Sequence, residues 1–398
     1  MTNKIKILYI HHAAGWGGAT INMINIINCL DKKAFDIKVL LIKNSVVAEK
    51  LKEYNINYEI AESTFYKKHY IYFTHSEAGY TKWYQVFEFL KLSILWLLSR
   101  FFFAQRELAK HDYDIVHLNS SVLTDWLAPA KKRGKVIIHI QEPFRKGKFD
   151  ILRPVFQSQM RKYADHIIAI SYDNAKRIGL PEKTTVVYNF EEQKQNSYAT
   201  TSSKGKVLYV GGNQKIKGFF TVVDALDYLD DEIKIVFCGN YCLGNTREKA
   251  LIGKIKKAAK NLQPFHKKLR RATEKIMKHP RAEFVGLVYD ISPLILRTEF
   301  LISPFSKPHF SRPVIEAFFS KKCVISSDVE GMDEIFDHNE NGLIVQKNNP
   351  QKLAKAINYL HANPDIRKKM GTNGYLKACE KYSVKNIDSI KNIYEALA

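Results

Sequence analysis

Two series of short, continuously apolar segments, each alternating with helical stretches, constrain the fold of this 398-residue chain more than any other feature. Runs of Val, Ile and Leu without polar alternation are typical of parallel strands that helices cover on both faces. We therefore predict an α/β protein with two doubly wound parallel sheets. The strands of the first sheet are predicted at residues 5–10, 35–41, 114–118, 135–140, 166–170 and 184–187, and those of the second at 206–210, 234–237, 282–285, 299–302, 323–326 and 343–345.

A polar stretch rich in Ser and Thr, residues 191–205, separates the two series. It has no apolar period, which is typical of a linker. We accordingly expect an N-terminal domain over residues 1–190 and a C-terminal domain over residues 206–380. A final helix, predicted over residues 381–398, could pack back on the N-terminal domain.

The charge of the chain is unusual for an ordinary globular composition. Its 62 Lys and Arg against 40 Asp and Glu leave a net charge of +22, which favours anionic partners such as nucleic acid, acidic membranes or phosphorylated substrates. Nucleic-acid binding is disfavoured, because the sequence has no signature of an RRM, KH or helix-turn-helix module and half of the charge lies in one segment.

The five cysteines have no CxxC spacing, which gives no indication of a zinc site or a disulfide framework. Buried, reduced thiols in the cytosol are the simpler interpretation. Lys6 interrupts the apolar run at the N-terminus, so that run is not a signal peptide. We therefore expect a cytoplasmic protein.

Two segments do not fit a minimal two-domain chain. Residues 83–103 are apolar around nearly the whole helical circumference, but their longest uncharged run, residues 92–99, is too short to span a bilayer. A fully buried helix and a membrane-surface helix both remain open. Residues 247–281 hold 13 Lys and Arg against 2 Glu, a net charge of +11, in a largely helical pattern.

Glycines follow the first predicted strand, at Gly15, Gly17 and Gly18, and a helical pattern begins at Thr20. Such a turn lets a ligand approach the backbone, and the helix N-terminus offers N–H donors to an anion. The spacing is GxGG rather than the GxGxxG dinucleotide fingerprint, and the expected later acidic residue is not evident, so a nicotinamide enzyme is disfavoured. Taken alone, the loop is equally compatible with a tight turn that binds nothing.

The second half of the chain holds three further candidates. Lys217, shortly after a predicted strand, either pairs with a phosphate or is simply exposed. Pro313 is suited to a first helical position, so the N–H groups that follow Phe310, Ser311 and Arg312 would face a ligand. Glu316 lies one turn later among apolar residues. A buried carboxylate needs a partner, which a ribose diol would supply, although a structural or solvated carboxylate is the alternative.

Several short motifs, taken in order, resemble those of the GT-B fold glycosyltransferases of family 4. These are retaining enzymes that use nucleotide sugars, and the resemblance covers nearly the whole chain. The motifs are Gly17-Gly18-Ala19, Tyr113-Asp114-Ile115-Val116-His117, the segment from Ile137 to Glu142 that carries His139, the segment from Ala164 to Ser171, Val186-Val187-Tyr188-Asn189, and the segment from Ser326 through Glu334 to Leu343.

The resemblance implies two Rossmann-like domains that face each other across a cleft, with the donor between them. It places Gly17 and Gly18 towards the donor diphosphate and the acceptor, and His139 towards the donor sugar. Lys217 would neutralise the diphosphate, and Glu316 would bind the nucleotide ribose. It implies no metal and no cofactor, because cations and helix termini then stabilise the leaving group.

Two positions depart from the family pattern. The first of the two family glutamates falls on Pro308, and the arginine that usually accompanies the lysine falls on Gly212. Arg312, at the helix start with Phe310, Ser311 and Val314, could replace the missing cation.

The leading hypothesis is a retaining glycosyltransferase that moves a sugar from a UDP- or GDP-linked donor to a glycan or lipid-linked acceptor in polysaccharide or glycoconjugate synthesis. The alternatives are a nucleotide-sugar epimerase of the same architecture and a nucleotide-sugar-binding protein without turnover. An epimerase needs carboxylates for proton transfer, and Pro308 argues against one there. Basic residues 247–281 and apolar residues 83–103 would together hold the protein on an anionic membrane at the cytoplasmic face.

Overall fold

The computed structural model describes residues 4–82, 84–147, 149–191, 204–241 and 264–398, and it divides the chain into two units. The N-terminal unit comprises residues 1–192 together with residues 381–398, and the C-terminal unit comprises residues 193–380. The end of the chain thus returns to the N-terminal unit. Most of the predicted linker, residues 192–203, lies outside the described residues.

The sheet of the N-terminal unit is parallel throughout, with the strand order β3-β2-β1-β6-β7-β8-β9. A two-stranded antiparallel hairpin, β4 and β5, stands apart from it. The strands of this unit are β1 Ile5–His11, β2 Phe35–Leu41, β3 Tyr58–Ile60, β4 His75–Ser76, β5 Gly79–Tyr80, β6 Ile115–Leu118, β7 Lys135–Ile140, β8 His166–Ala169 and β9 Thr184–Val186.

The sheet of the C-terminal unit is also parallel, with the order β12-β11-β10-β13-β14-β15. In both sheets the order reverses beside the first strand, as in doubly wound dinucleotide-binding folds. The strands of this unit are β10 Lys206–Val210, β11 Lys234–Cys238, β12 Ala282–Gly286, β13 Phe300–Ser303, β14 Val324–Ser327 and β15 Gly342–Val345.

Helices connect the strands in both units. The α-helices are α1 Gly18–Cys29, α2 Val46–Glu53, α3 Val86–Leu98, α4 Ala104–Leu108, α5 Leu127–Lys131, α6 Leu152–Tyr163, α7 Tyr172–Ile178, α8 Phe219–Ala225, α9 Pro264–Lys278, α10 Ser292–Arg297, α11 Arg312–Phe319, α12 Pro350–Ala362, α13 Pro364–Lys381 and α14 Ile387–Leu397. The shorter 3-10 and π-helical turns are Phe65–His69, Ser99–Phe103, Ser121–Trp126, Pro181–Lys183, Lys215–Lys217, Leu226–Tyr228, Met332–Glu334 and Val384–Asn386.

The core of the N-terminal unit lies on both faces of its sheet. Successive strand residues point to opposite faces, so Ile7 and Tyr9 pack on one side and Leu8 and Ile10 on the other. The C-terminal helix α14 covers the first of these faces, where Tyr394 is fully buried. A second, separate core in the C-terminal unit forms around β10, β11, β13 and helices α8 and α12.

The predicted architecture of two parallel, Rossmann-like sheets is confirmed. Each of the twelve predicted strands is present, with ends that shift by at most one residue. One strand of the sheet is not predicted from the sequence: β3, the three-residue edge strand Tyr58–Ile60.

The apolar segment 83–103 forms α3 and the π-helical turn Ser99–Phe103. A fully buried helix is the wrong interpretation, because Leu92 is the buried residue of α3 and several large apolar side chains of the helix face solvent. No helix among the described residues is long and apolar enough to cross a bilayer.

The basic segment 247–281 is described only from residue 264 onwards, where it forms α9 and the turn that leads to β12. Three of its cations are paired within the C-terminal unit: Arg270 with Glu274, Lys275 with Asp227, and Arg281 with Asp231. Its contact with a membrane stays a prediction.

Candidate functional site

The carboxyl ends of the strands at the two reversal points are where open α/β sheets bind ligands. The glycine loop with Gly17 and Gly18 follows β1 in the N-terminal unit. In the C-terminal unit, Lys217 follows β10, and residues 310–316 follow β13. The fold therefore places Gly17 and Gly18 at the reversal point of the N-terminal unit, and Lys217 and residues 310–316 at that of the C-terminal unit, whereas His139 lies inside β7.

The glycine loop leaves room for a ligand beside the start of α1. Gly17 is the N-cap with an extended backbone, and Gly18 is the first helical residue. A Cβ added at either position would meet no heavy atom within 4 Å, and both residues are exposed. Neither the backbone conformation nor protein packing requires glycine at these positions. The N–H groups of the first helical turn are open to a bound anion.

A buried network of hydrogen bonds connects this loop to the residues that follow β6. The Asn119 side-chain amide donates to His11 Nδ1 at 3.0 Å, so His11 carries its proton on Nε2 and donates to Thr20 Oγ1 at 3.0 Å. The Thr20 hydroxyl then donates to the backbone carbonyl of Gly15 at 3.0 Å. Burial lowers the pKa of His11 to about 3, which keeps the ring neutral in this arrangement.

The network continues along the carboxyl edge of the sheet. Gln141 donates to the side-chain oxygen of Asn119 at 3.1 Å, and Asn189 donates to Gln141 at 3.4 Å. Asn119 and Gln141 each stand directly after a strand, β6 and β7. Sequence reasoning did not single out these two residues, although a polar residue immediately after a buried strand was the available signal.

His139, predicted to face the donor sugar, lies inside β7 and is 1% exposed. Burial lowers the pKa of His139 to about 3, so it is neutral. Its Nδ1 is 3.3 Å from His117 Nε2, and His117 Nδ1 is 2.8 Å from the Tyr394 hydroxyl on α14. The Nε2 atom of His139 has no hydrogen-bond partner among the described residues. Its contact with a sugar stays a prediction.

Glu142 is the carboxylate at the end of β7, and the protein itself satisfies it. Its Oε1 accepts hydrogen bonds from the hydroxyls of Ser120 and Ser121 and from the backbone N–H of Ser121 at 3.0 Å. Glu142 therefore ties the loop after β6 to the loop after β7.

In the C-terminal unit, the loops that follow β10 and β13 touch each other. Gly218 has φ +78°, and a Cβ at this position would lie 1.8 Å from the carbonyl oxygen of Pro304, so only glycine permits the approach. The Ser306 backbone N–H donates to the Ile216 carbonyl at 2.9 Å. These contacts hold Lys217 against the loop that precedes α11.

Lys217 is a half-buried cation in this loop. Burial lowers its pKa, and the neighbouring Cys238 thiol opposes that effect in part. Burial and the charge of Lys217 together lower the pKa of His309 to about 3. The imidazole ring near the ammonium group is therefore uncharged. Among the described residues Lys217 forms no ion pair with a carboxylate. A half-buried cation of this kind is suited to an anionic ligand.

Helix α11 begins at Arg312, one residue before the predicted first position at Pro313, with Ser311 as the N-cap. The Ser311 hydroxyl lies 3.4 Å from the Ser303 hydroxyl and does not cap the helix. The first-turn N–H groups are thus without a side-chain cap, and the buried Val314 anchors this end of the helix. Phe310, immediately before the helix, is half-buried.

Arg312 and Glu316, which the sequence assigns to separate roles, form an ion pair. Nη2 of Arg312 is 2.8 Å from Oε1 of Glu316, and the two side chains are 24% and 14% exposed. Glu316 is therefore neither fully buried nor fully solvated.

Gly212, which stands in place of the family arginine, has a physical reason to be glycine. Its φ is +55°, and a Cβ there would lie 2.6 Å from the carbonyl oxygen and 2.9 Å from the nitrogen of Asn240. Any side chain at this position would be strained. The local backbone geometry therefore disfavours an arginine at this position.

No group of three or more His, Cys, Asp or Glu side chains is arranged to hold a metal ion in the part of the chain that the structure describes. The absence of a metal requirement stays a prediction. Cys238 and Cys323 are buried thiols, but Cys29 and Cys379 are only half-buried, so the expectation of buried thiols is wrong for these two; Cys242 lies outside the described residues.

Models of glycosyltransferase families match both halves of the chain. The model of the glycosyl transferases group 1 matches residues 190–377, and that of Glycosyltransferase Family 4 matches residues 16–190. An uncharacterized glycosyltransferase of Methanocaldococcus jannaschii is 31% identical over 110 residues, which is 27% of this chain and 31% of that protein. The chain thus matches about a third of the length of its curated relatives.

Solved structures share the fold over the whole chain. HepE of Anabaena, in complex with UDP and glucose, has a TM-score of 0.75 and 19% identity, covering 99% of this chain and 100% of that one. Sucrose-phosphate synthase of Thermosynechococcus elongatus has a TM-score of 0.68 and 16% identity, covering 99% of both chains. Two adjoining family models and two Rossmann-like sheets lead to one assignment: this chain belongs to the GT-B glycosyltransferases of family 4.

Proposed function

We propose that this protein is a retaining glycosyltransferase that transfers a sugar from a nucleoside-diphosphate sugar to a glycan or lipid-linked acceptor. The observation that carries the proposal is Lys217, a half-buried cation with no carboxylate partner among the described residues, which acts on His309 in the loop that leads to the uncapped start of α11. A diphosphate supplies the negative charge that both features favour.

Arg312 and Glu316 extend this anion site towards the nucleoside. In our proposal the Glu316 carboxylate accepts hydrogen bonds from the ribose hydroxyls, and the Arg312 guanidinium turns to the diphosphate. Without ligand the two side chains neutralise each other at 2.8 Å, which lowers the cost of holding both charges half-buried. The backbone N–H groups after Ser311, with Val314 and Phe310 beside them, complete the diphosphate contacts.

The N-terminal unit contributes the acceptor side of the reaction. The space beside Gly17 and Gly18 accommodates a ligand at the backbone, and the His11–Asn119 network fixes the loop that forms it. We assign His139 to the sugar side of the reaction, as the family resemblance implies, with its position set by the buried His117 and Tyr394.

Retention by a front-face reaction is what the family resemblance implies, and among the described residues we assign no carboxylate as a nucleophile. Glu142, the carboxylate at the end of β7, already accepts hydrogen bonds from Ser120 and Ser121. In a front-face reaction the acceptor oxygen bonds to the anomeric carbon on the face from which the diphosphate leaves. The acceptor proton passes to the departing phosphate oxygen. Lys217, Arg312 and the helix N-terminus stabilise the charge on that oxygen.

A UDP-linked donor is the first choice, with a GDP-linked donor as the second. HepE of Anabaena, similar over 99% of this chain, holds UDP and glucose in its structure, which supports a UDP-sugar here. We propose that the reaction serves polysaccharide or glycoconjugate synthesis in the cytoplasm, with no metal and no further cofactor.

Two other activities fit the same fold. An epimerase needs carboxylates at the sugar for proton transfer, and Pro308 stands where the family has a glutamate. A nucleotide-sugar-binding protein would bind the donor without turning it over. Incubation with UDP- and GDP-sugars separates the three: released nucleotide supports a transferase, an epimerised sugar nucleotide supports an epimerase, and binding without either product supports the third.

A further inference from the structure

Helix α3 has an apolar face that none of the described residues of the N-terminal unit covers. Its inner face, with Phe89, Leu92 and Trp96, packs on the core. The opposite face exposes apolar side chains at alternating spacings of three and four residues, as far as the turn that follows the helix. This exposed stripe consists of Phe87, which is 92% exposed, and of Leu90, Ile94, Leu97 and Phe101, each about half exposed.

A cationic cavity of about 180 Å³ lies at the C-terminal end of this stripe, with Phe101 in its wall. Arg100, Lys131 and Lys132 also line it, and no carboxylate does. The Arg100 guanidinium stacks 4.9 Å from the centre of the Tyr163 ring and donates to Gln159 at 2.6 Å. This packing fixes the guanidinium in place.

The two lysines of the cavity differ in whether a carboxylate neutralises them. Lys131 is paired with Asp165 at 2.6 Å. Lys132 is exposed and forms no ion pair with any residue that the structure describes. The cavity thus offers one fixed guanidinium and one exposed ammonium group beside an apolar stripe.

We propose that this surface binds a bilayer of anionic phospholipids. The stripe enters the boundary between headgroups and acyl chains, and the cavity receives a headgroup phosphate. Helices that lie in a membrane interface combine Phe and Leu on one face with Lys and Arg beside it. The juxtaposition of an exposed apolar stripe with a cationic cavity at its end matches the two parts of a phospholipid.

The charges beside the stripe select a bilayer over a second copy of the chain. On α3 the exposed Lys91 and Glu88 balance each other, and the cavity at the end of the stripe adds the positive charges of Arg100 and Lys132. Two copies paired along the stripe would bring this positive excess together, which is unfavourable, whereas an anionic lipid surface neutralises it. The proposal does not depend on sugar transfer, because binding to vesicles is measured without donor or acceptor.

The test is flotation of the full chain with two kinds of vesicle, phosphatidylcholine alone and an equal mixture of phosphatidylcholine and phosphatidylglycerol. We expect the chain to float with the anionic vesicles and to stay behind with the neutral ones. Leu90→Ser should weaken binding about tenfold or more, because it removes an inserted apolar side chain. Lys132→Glu should weaken binding by about fivefold for each of the two charges changed.

Matched controls keep the test specific. Leu376→Ser alters a leucine that is 61% exposed on α13, and Lys355→Glu reverses an exposed charge on α12; both should bind as the wild type does. Absence of binding to anionic vesicles would overturn the proposal. So would a dimer, seen by light scattering, that Leu90→Ser dissociates, since a second copy would then cover the stripe. Saturable binding of inorganic phosphate that depends on Lys132, without vesicle binding, would equally replace the bilayer with a soluble phosphate ligand.

Discussion

Nη2 of Arg312 lies 2.8 Å from Oε1 of Glu316, one turn further along the same helix. Side chains four residues apart on a helix face each other, so the pair is a local consequence of helix α11. The finding changes how substitutions at either residue should be interpreted, because removing one partner leaves the charge of the other exposed to the ligand site.

Glu316→Gln should weaken nucleoside-diphosphate binding by about 1.5–3 kcal/mol, since the charged acceptor that we propose for the ribose hydroxyls is lost. The same change releases Arg312 from its ion pair, so affinity for inorganic pyrophosphate, which has no ribose, should stay equal or rise. Calorimetric titration with UDP, GDP and pyrophosphate measures both effects. Glu340→Gln, at an exposed position, is the control. Equal losses of affinity for the nucleotide and for pyrophosphate would show that Glu316 does not bind the ribose.

Arg312→Ala should lower turnover strongly and stability little, because in our proposal the side chain stabilises the leaving diphosphate, and it is partly exposed. Gly212→Arg should not restore the activity of this variant, although it recreates the family residue. With φ +55° and the Asn240 carbonyl 2.6 Å from a Cβ, that substitution should destabilise the unit by more than about 1 kcal/mol. Turnover and urea unfolding of both variants check these outcomes, and activity recovered in the double variant would contradict them.

Gly18→Ala should reduce activity without lowering stability. A methyl group at this position meets no protein atom within 4 Å, and alanine is the better helix former by up to about 1 kcal/mol. The space it fills is the space proposed for the ligand. The thermal midpoint and the rate of sugar transfer separate the two effects. An active Gly18→Ala variant would mean that no ligand approaches the backbone there.

Nucleotide affinity should fall as the pH rises. The fall should occur at a lower pH than the loss of the proton from an ordinary lysine, whose pKa is 10.5. Burial disfavours the charged form of Lys217, so its pKa is lowered, and the neutral amine no longer attracts the diphosphate. Titrations across the alkaline range test this. Lys217→Arg keeps its charge there and should remove the dependence, so an unchanged pH profile in this variant would assign the effect to another group.

The strands were predictable from the sequence because parallel strands buried on both faces need continuous apolar runs, as in β1 and β10. The start of α11 was equally predictable, since Pro313 marks the first turn of a helix. Edge strand β3 was not, because its three residues Tyr58, Glu59 and Ile60 form too short and too mixed a run.

Contacts between distant residues set the parts of the site that the sequence could not show. The link from Asn119 through His11 to the glycine loop joins residues 108 positions apart, and no local pattern encodes it. Helix α3 illustrates a related limit. A helix that is apolar all round is typical of burial, but the same pattern arises when one face packs on the core and the other faces solvent.

Product analysis with UDP- and GDP-sugars tests the central claim most directly. The protein is incubated with each donor, released nucleoside diphosphate is quantified, and the anomeric configuration of the liberated or transferred sugar is determined by NMR. Our account predicts release from at least one donor, with the configuration of the donor retained and the release lost in Lys217→Ala. Donors that remain intact although the wild type binds them, or a product with inverted configuration, would contradict it.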